Sequence, residues 1–157
     1  AASPRVLAGF LALGLALGLA LAWADLGWAV SARTAARVMA ERFPPRERGS
    51  VIFLGHWGFQ YYMEAEGFTA FDLRGTRLAV GDRVIAPANN LDTPLPWSLF
   101  EREEDIRVPA CSFAALRTPQ GFAGFYTSVN GPLPWLFGPA PDELYAILRA
   151  RQAIIFE

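Results

Sequence analysis

Histidine and cysteine are almost missing from this chain: 157 residues contain one of each, His56 and Cys111. A lone cysteine excludes an internal disulfide, and one His with one Cys leaves too few ligands for a zinc site of the usual Cys/His kind. Cys111 reads as a small buried hydrophobe, with a reactive thiol as the alternative, and does not identify the compartment. Charge of one sign is missing as well. The net charge of −1 supplies no electrostatic footprint for nucleic acid, so nucleic acid is not an expected partner. Neither a Gly-x-Gly-x-x-Gly nor a Walker-type loop occurs, which leaves nucleotide binding without a motif. There is no initiator Met, and the chain begins five residues before a long apolar run. The expectation is the tail of a longer polypeptide.

Apolar residues are what the chain has in excess, at 53%, above the usual level for a soluble domain. The excess is concentrated in Val6–Ala24, nineteen consecutive uncharged residues built mainly from Leu, Ala and Gly. At helical rise such a run is about 28 Å long, close to the roughly 30 Å of a bilayer's hydrocarbon core. A helix also pairs its own backbone groups, as a membrane span must. Trp23 and Trp28 stand near the far end, where indoles favour the interface. The run reads as a transmembrane helix, with the lipid bilayer as partner. The rival reading is a signal peptide cleaved before Asp25, after Ala22-Trp23-Ala24. The run is longer than the roughly 7–15 residues of a signal core. A buried core helix is the third reading, and it would need a large protein around it.

Beyond Asp25 the pattern continues as an amphipathic helix to Phe43. Trp28, Ala32, Ala35, Ala36, Val38, Met39 and Phe43 form the apolar side, while Arg33, Arg37 and Glu41 share a polar face at four-residue spacing. These arginines read as a solvated face or as contacts to lipid head groups. Pro44-Pro45 ends the helix, and residues 44–50 read as a linker.

A βαβ-like unit follows. Val51–Leu54 is a short buried strand, Gly55 a turn, Phe59–Ala65 a helix with Gly67 as C-cap. Phe68–Phe71 is a short strand or edge segment, and Leu78–Asp82 a turn. Arg83–Pro87 is a second buried strand. Residues 91–104 read as a loop with a short helix, and the acidic group Glu101, Glu103, Glu104 and Asp105 as solvated surface or an unspecific cation site. Residues 112–127 read as a hairpin around Thr118–Gly121, and Glu143–Arg149 as a strand rather than a helix. Residues 131–135 are an aromatic-proline loop, with Trp135 as a packing anchor or a contact to membrane. The expected architecture is α/β. A transmembrane helix (1–24) and a juxtamembrane helix (25–43) precede a small domain with a mixed sheet (44–157).

The segment Gly55-His56-Trp57-Gly58-Phe59-Gln60-Tyr61-Tyr62-Met63-Glu64 gathers polar and aromatic groups where a strand hands over to a helix. Ligand crevices of open α/β sheets form at such carboxyl ends. The candidate ligand-binding residues are His56, Trp57, Gln60 and Tyr61, joined by Asn89 and Asn90 beyond the second strand. His56 suits either a structural tie between loops or a general base or phosphate contact. Trp57 and Tyr61 suit either core packing or stacking on sugar rings. Gln60 lies near the helix N-terminus, which favours anions. Asn89 and Asn90 suit either a turn or a crevice wall. No metal ligand and no catalytic residue is assigned.

Three segments together resemble a known family: Ala24-Asp25 with its Arg-bearing helix, the Gly55–Glu64 segment, and Phe125-Tyr126 with Gly131-Pro132-Leu133-Pro134-Trp135-Leu136-Phe137-Gly138. They look like the C-terminal end of bacterial multi-spanning glycosyltransferases, which are similar to dolichyl-phosphate-mannose protein mannosyltransferases and to the lipid A aminoarabinose transferase. The resemblance covers essentially the whole chain, and the middle segment is its specific part. It implies a membrane enzyme taking a sugar from a polyprenyl-phosphate carrier, with its catalytic acid in an early loop this chain lacks. The chain would then be the last membrane helix and extracytoplasmic domain, inactive alone and partnered by the remaining helices of the bacterial inner-membrane enzyme. Arg33, Arg37 and Arg42 after the span pull against that orientation by positive-inside counting. The alternative is a membrane-tethered module binding a glycan or an anion such as a lipid phosphate. A small secreted hydrolase using His56 is a third possibility.

Overall fold

A computed structural model of the chain describes residues 3–88, 95–110, 113–116, 123–124 and 131–156. It has a long N-terminal apolar helix followed by a small α/β domain with a mixed sheet. The two helices expected over 1–24 and 25–43 are one continuous helix, α1 (Pro4–Arg42). No Pro intervenes between Pro4 and Pro44, and the one glycine near the junction, Gly27, lies within the helix without ending it, as a single helical glycine costs only about 1 kcal/mol. Ser3 caps its start, accepting a hydrogen bond from the Val6 N–H at 3.4 Å, and Pro4 occupies the first helical position, where its missing N–H costs nothing.

The chain divides into two compact units, residues 1–28 with 110–141 and residues 29–109 with 142–157. The second unit contains the main sheet. Its strands are β1 (Val51–Phe53), β2 (Thr69–Ala70), β4 (Arg83–Pro87), β5 (Phe100–Val108) and β8 (Glu143–Ala150), in the order β2-β1-β4-β8-β5. β2, β1 and β4 run parallel, and β8 is antiparallel to both β4 and β5. Helix α2 (Trp57–Ala65) is the crossover between the parallel neighbours β1 and β2. A small ladder of β3 (Arg77–Leu78) and β9 (Ile154–Ile155) completes the unit.

Side-chain alternation divides the sheet into two faces. Val51, Phe53, Ile85, Tyr145 and Ile147 pack with Ala35, Ala36, Met39 and Phe43 of α1 and with Phe59 and Met63 of α2. Val84, Ala86, Ala146 and Leu148 point the other way and are covered by Leu78, Ile154, Leu95 and Phe100. The expected polar face of α1 is also present: Arg33, Arg37 and Glu41 are exposed.

The segment expected to be a plain linker holds this packing together. Arg48 donates to three main-chain carbonyls: Phe43 O from Nε at 3.0 Å, Ala40 O from Nη2 at 3.3 Å, and Glu66 O from Nη1. Two of these carbonyls belong to the end of α1 and one to the end of α2. Helix C-termini leave carbonyls unpaired and carry partial negative charge, so one guanidinium satisfies both. Its carbon also lies 5.1 Å from the centre of the Phe68 ring, within cation–π range. α2 ends as expected at Gly67, with φ +83. Gly67 N–H donates to Glu64 O and Phe68 N–H to Met63 O, the paired bonds of a Schellman turn.

One expectation is corrected. The loop assigned to 91–104 gives way at Phe100 to the nine-residue strand β5. Its acidic residues sit on an edge strand, where charge discourages pairing with another chain. Glu103 occupies the register shift between Arg102 and Glu104. From there its carboxylate meets Arg83 at 2.8 Å and Arg149 at 3.7 Å, two arginines that oppose each other across β4 and β8. Most of the hairpin expected over 112–127 lies outside the described residues; within it, β6 (Ala114–Ala115) pairs with β7 (Leu136–Phe137). The turn residues Thr118–Gly121 and the return over Phe125–Thr127 lie outside the described residues, as does Cys111.

Between α1 and β8 lies a buried polar pair that periodicity does not reveal. Ser31 is hydrogen-bonded to the buried Tyr145, with the buried Glu143 close enough to act on the phenol electrostatically. Burial first, and the Glu143 charge second, hold the Tyr145 phenol well above the usual tyrosine range, against the opposing effect of the Ser31 hydrogen bond.

Two outcomes follow for urea denaturation of the detergent-solubilised chain. Arg48→Ala lowers stability by about 2–4 kcal/mol, the scale of one or two lost hydrogen bonds to a charged group. Arg48→Lys recovers less than half, because an ammonium lacks the planar fork that reaches three carbonyls. The second concerns pH. Because the folded state holds the Tyr145 proton more tightly than the unfolded chain, stability is retained below about pH 10 and falls as pH rises beyond it. Tyr145→Phe removes that part of the alkaline loss, seen as a flatter stability profile above pH 10.

Candidate functional site

The sheet order reverses at β1, with β2 on one side and β4 on the other. β1 and β4 are parallel neighbours, paired Phe53 to Ile85, so their carboxyl ends open on the same edge. Leu54 N–H donates to Ile85 O at 2.8 Å, carrying the pairing to the last residue before the turn. The chain then turns at Gly55, which has φ +104. An L side chain there would collide with its own backbone, so glycine is the residue that permits the turn.

His56 is the N-cap residue of α2, with extended backbone and an exposed side chain. Trp57 is the first helical residue. Its φ is +55, and it is the one non-glycine with positive φ among the described residues. A left-handed conformation costs an L-residue about 1–2 kcal/mol. The indole does not recover that cost through burial, being 73% exposed. Strain therefore coincides with exposure at an aromatic on the carboxyl edge of the sheet.

The rest of the segment separates by helical position. Phe59 and Met63 are buried. Phe59 packs edge-on against Phe53 at 5.8 Å and against Tyr145 at 4.9 Å between ring centres, which fixes α2 to the sheet. Tyr61, four residues beyond Trp57, is 68% exposed and shares its helix face. Its ring is held edge-on by Tyr62 at 5.3 Å, and Tyr62 in turn packs on the core. Gln60 donates from Nε2 to Glu64 Oε1 at 2.8 Å. The amide is thereby oriented by a carboxylate and keeps its own oxygen as an acceptor.

The structure therefore brings together His56, Trp57, Gln60 and Tyr61 over the first turns of α2. Asn89 and Asn90 lie outside the described residues; Ala88, the residue before them, follows β4 on the same sheet edge. Glu64 was not among the expected site residues. Its four-residue spacing from Gln60 was the available signal. The aromatic reading is resolved residue by residue: Phe59 is core, Tyr62 half-buried support, and Trp57 and Tyr61 surface. Among the described residues no group of three or more His, Cys, Asp or Glu side chains is placed to hold a metal ion.

Two exposed rings four residues apart on α2, an amide–carboxylate pair and an exposed imidazole thus share the carboxyl edge of the sheet. No family model matches the chain, and neither a curated protein nor a solved structure does.

If Trp57 is held for a ligand, its removal costs the fold little. Trp57→Gly leaves urea stability within about 1 kcal/mol of the parent, because relief of left-handed strain offsets the entropy of glycine. Phe59→Ala, two residues away, costs about 3–4 kcal/mol. A comparable loss for Trp57→Gly would make the indole a structural element instead.

Proposed function

We propose that this chain is the terminal membrane helix and extracytoplasmic α/β domain of a bacterial inner-membrane glycosyltransferase that draws its sugar from a polyprenyl-phosphate carrier. In this reading the domain does not carry out the chemistry. It contacts the acceptor glycan through Trp57 and Tyr61, with Gln60 and Glu64 positioned to bond hydroxyls.

The observation that carries the reading is the strained, exposed Trp57 at the strand-to-helix turn of the Gly55–Glu64 segment, where the resemblance to these enzymes is most specific. Two further features support it. α1 is long and apolar enough to cross a membrane, with mean hydropathy 2.2 in its apolar window and none of that window buried. A span bare on every side suits lipid or neighbouring helices, whereas the core helix of a soluble protein would be covered. The domain that follows presents exposed Trp57 and Tyr61 rings at one sheet edge. A second reading, a tethered glycan-binding module with no enzyme attached, draws on the same exposed rings.

The test uses sugar transfer and binding together. The expected result is that the reading frame upstream of Ala1 encodes further membrane helices with an acidic early loop, and that the protein it encodes transfers sugar from a polyprenyl-phosphate donor. The chain by itself, in vesicles with the same donor and acceptor, gives no turnover. In the active protein Trp57→Ala raises the acceptor KM about tenfold, corresponding to about 1.4 kcal/mol of lost stacking, with kcat little changed. Turnover by the chain alone would place the chemistry in this domain and overturn the proposal. Glycan binding by a chain with no upstream helices would establish the second reading.

A further inference from the structure

Charge is divided unequally between the two compact units. Of the 14 basic and 15 acidic residues, only Arg5, Asp25 and Arg117 fall in the unit made of residues 1–28 and 110–141. The first stretch is the apolar part of α1. The second, residues 110–141, contributes no helix and no strand of the main sheet among its described residues, and it carries one charge, Arg117, in its whole length. Surface loops of a water-facing domain are polar because water is their solvent. A segment this poor in charge has a different neighbour.

Its described residues show where that neighbour lies. Ala114 and Leu116 are buried with Ala24 of α1, and Leu21 packs against the same cluster. Leu21 and Ala24 are the last turn of the apolar run, at its Asp25 end. The short ladder of β6 and β7 is thus fastened to α1 at the height where the run stops. From this position the segment exposes apolar side chains. Phe137 is 70% exposed, and Phe113 and Leu133 are exposed as well. Phe113 and Phe137 are held close by the backbone, since Gly138 N–H donates to Phe113 O at 2.7 Å. On α1 itself Trp23 is 69% exposed at the same level. Aromatic side chains gathered at the end of an apolar span occupy the depth at which indole and phenyl groups partition into the bilayer interface.

We propose that residues 113–116 and 131–137 form a collar around the Asp25 end of α1 that inserts Phe113, Leu133 and Phe137 into the headgroup–acyl boundary of the bilayer. The occupant of this apolar surface is lipid, because the surface is continuous with the bare flank of α1 and nearly free of charge. The inference rests on the reading of α1 as a membrane span. It adds a second membrane contact, supplied by a segment nearly ninety residues farther along the chain. The collar would hold the last turns of the span at a fixed depth.

The experiment is site-directed spin labelling of the full chain in phosphatidylcholine–phosphatidylglycerol vesicles. Cys111→Ser supplies the background, with single labels at Phe113→Cys, Leu133→Cys, Phe137→Cys, Leu13→Cys within the span and Glu101→Cys on β5. Relative accessibility to oxygen and to a water-soluble nickel chelate gives depth. All three collar labels are expected to be several-fold more accessible to oxygen than to nickel, at a depth between those of Leu13 and Glu101. Three sites protect the result against the misfolding of any one variant. Collar labels as accessible to nickel as Glu101, with Leu13 in lipid, would overturn the collar and leave the span intact. Nickel access at Leu13 as well would overturn both. Collar labels shielded from oxygen and nickel alike would assign the surface to a protein partner and equally overturn the lipid proposal.

Discussion

The guanidinium of Arg48 is the contact on which the second unit most depends. Two helices end within its reach, and each leaves carbonyls that no backbone donor can satisfy. One planar cation answers Ala40, Phe43 and Glu66 at once. The bonds fix more than two helix ends. β1 starts three residues after Arg48, so the clamp also sets where the first strand begins relative to Phe43 on one side and Phe68 on the other. The exposed turn at Gly55 follows β1 directly. The geometry that displays Trp57 is therefore built on a half-buried ion set among helix ends, some ten residues earlier in the chain.

Much of this architecture was legible in the sequence, for reasons specific to each element. Val51–Phe53 and Arg83–Pro87 were readable because both faces of a central strand are covered, leaving a short unbroken apolar run. Gly67 was readable because a helix stop needs a left-handed residue. The acidic strand β5 was not, because an edge strand needs few apolar side chains and its charges suit a loop equally well. The pairing of β6 with β7 was hidden for another reason: turn signals at Thr118–Gly121 favoured a local hairpin, and pattern alone does not register a partner twenty residues away. Arg48 sat in a stretch whose prolines and charges read as linker. A cation placed just after one helix and ahead of another is a cue that composition alone overlooks.

The candidate site was legible as a place and only partly as a set of roles. A segment in which every second residue is aromatic cannot be divided into core and surface until the phase of the helix is known. Phase depends on where the helix starts. The expected start at Phe59 was two residues late, and those two residues include Trp57. With the start at Trp57, Phe59 and Met63 fall toward the sheet and Trp57 and Tyr61 fall outward. The positive φ of Trp57 lies beyond any propensity argument, since tryptophan has no preference for the left-handed region. It marks a local cost that packing does not offset.

The long helix changes surface character along its length. Most of its first half is exposed, meeting protein only where Leu21 packs against the Ala24–Ala114–Leu116 cluster, and such a leucine-rich surface suits hydrocarbon. Its last turns meet a sheet, and there the composition changes to Ala32, Ala35, Ala36 and Ala40 with Met39 and Phe43. Small residues let the helix axis approach the strands closely, while the two large ones fill the gap over β1 and β4. The arginines on the opposite side then meet water. Neither half could exchange sequence with the other. Leucines at 32, 35 and 36 would hold the helix off the sheet, whereas alanines throughout the first half would reduce the apolar area that makes a span favourable in lipid. The change comes between Trp23 and Ser31, without any break in the helix, and the buried Ser31–Tyr145 hydrogen bond stands where the protein core begins. A hydroxyl pair at that point is tolerable because both partners are satisfied together. Set a few turns earlier on α1, the same serine would stand in the exposed apolar stretch, away from Tyr145 and with its own helix backbone to bond.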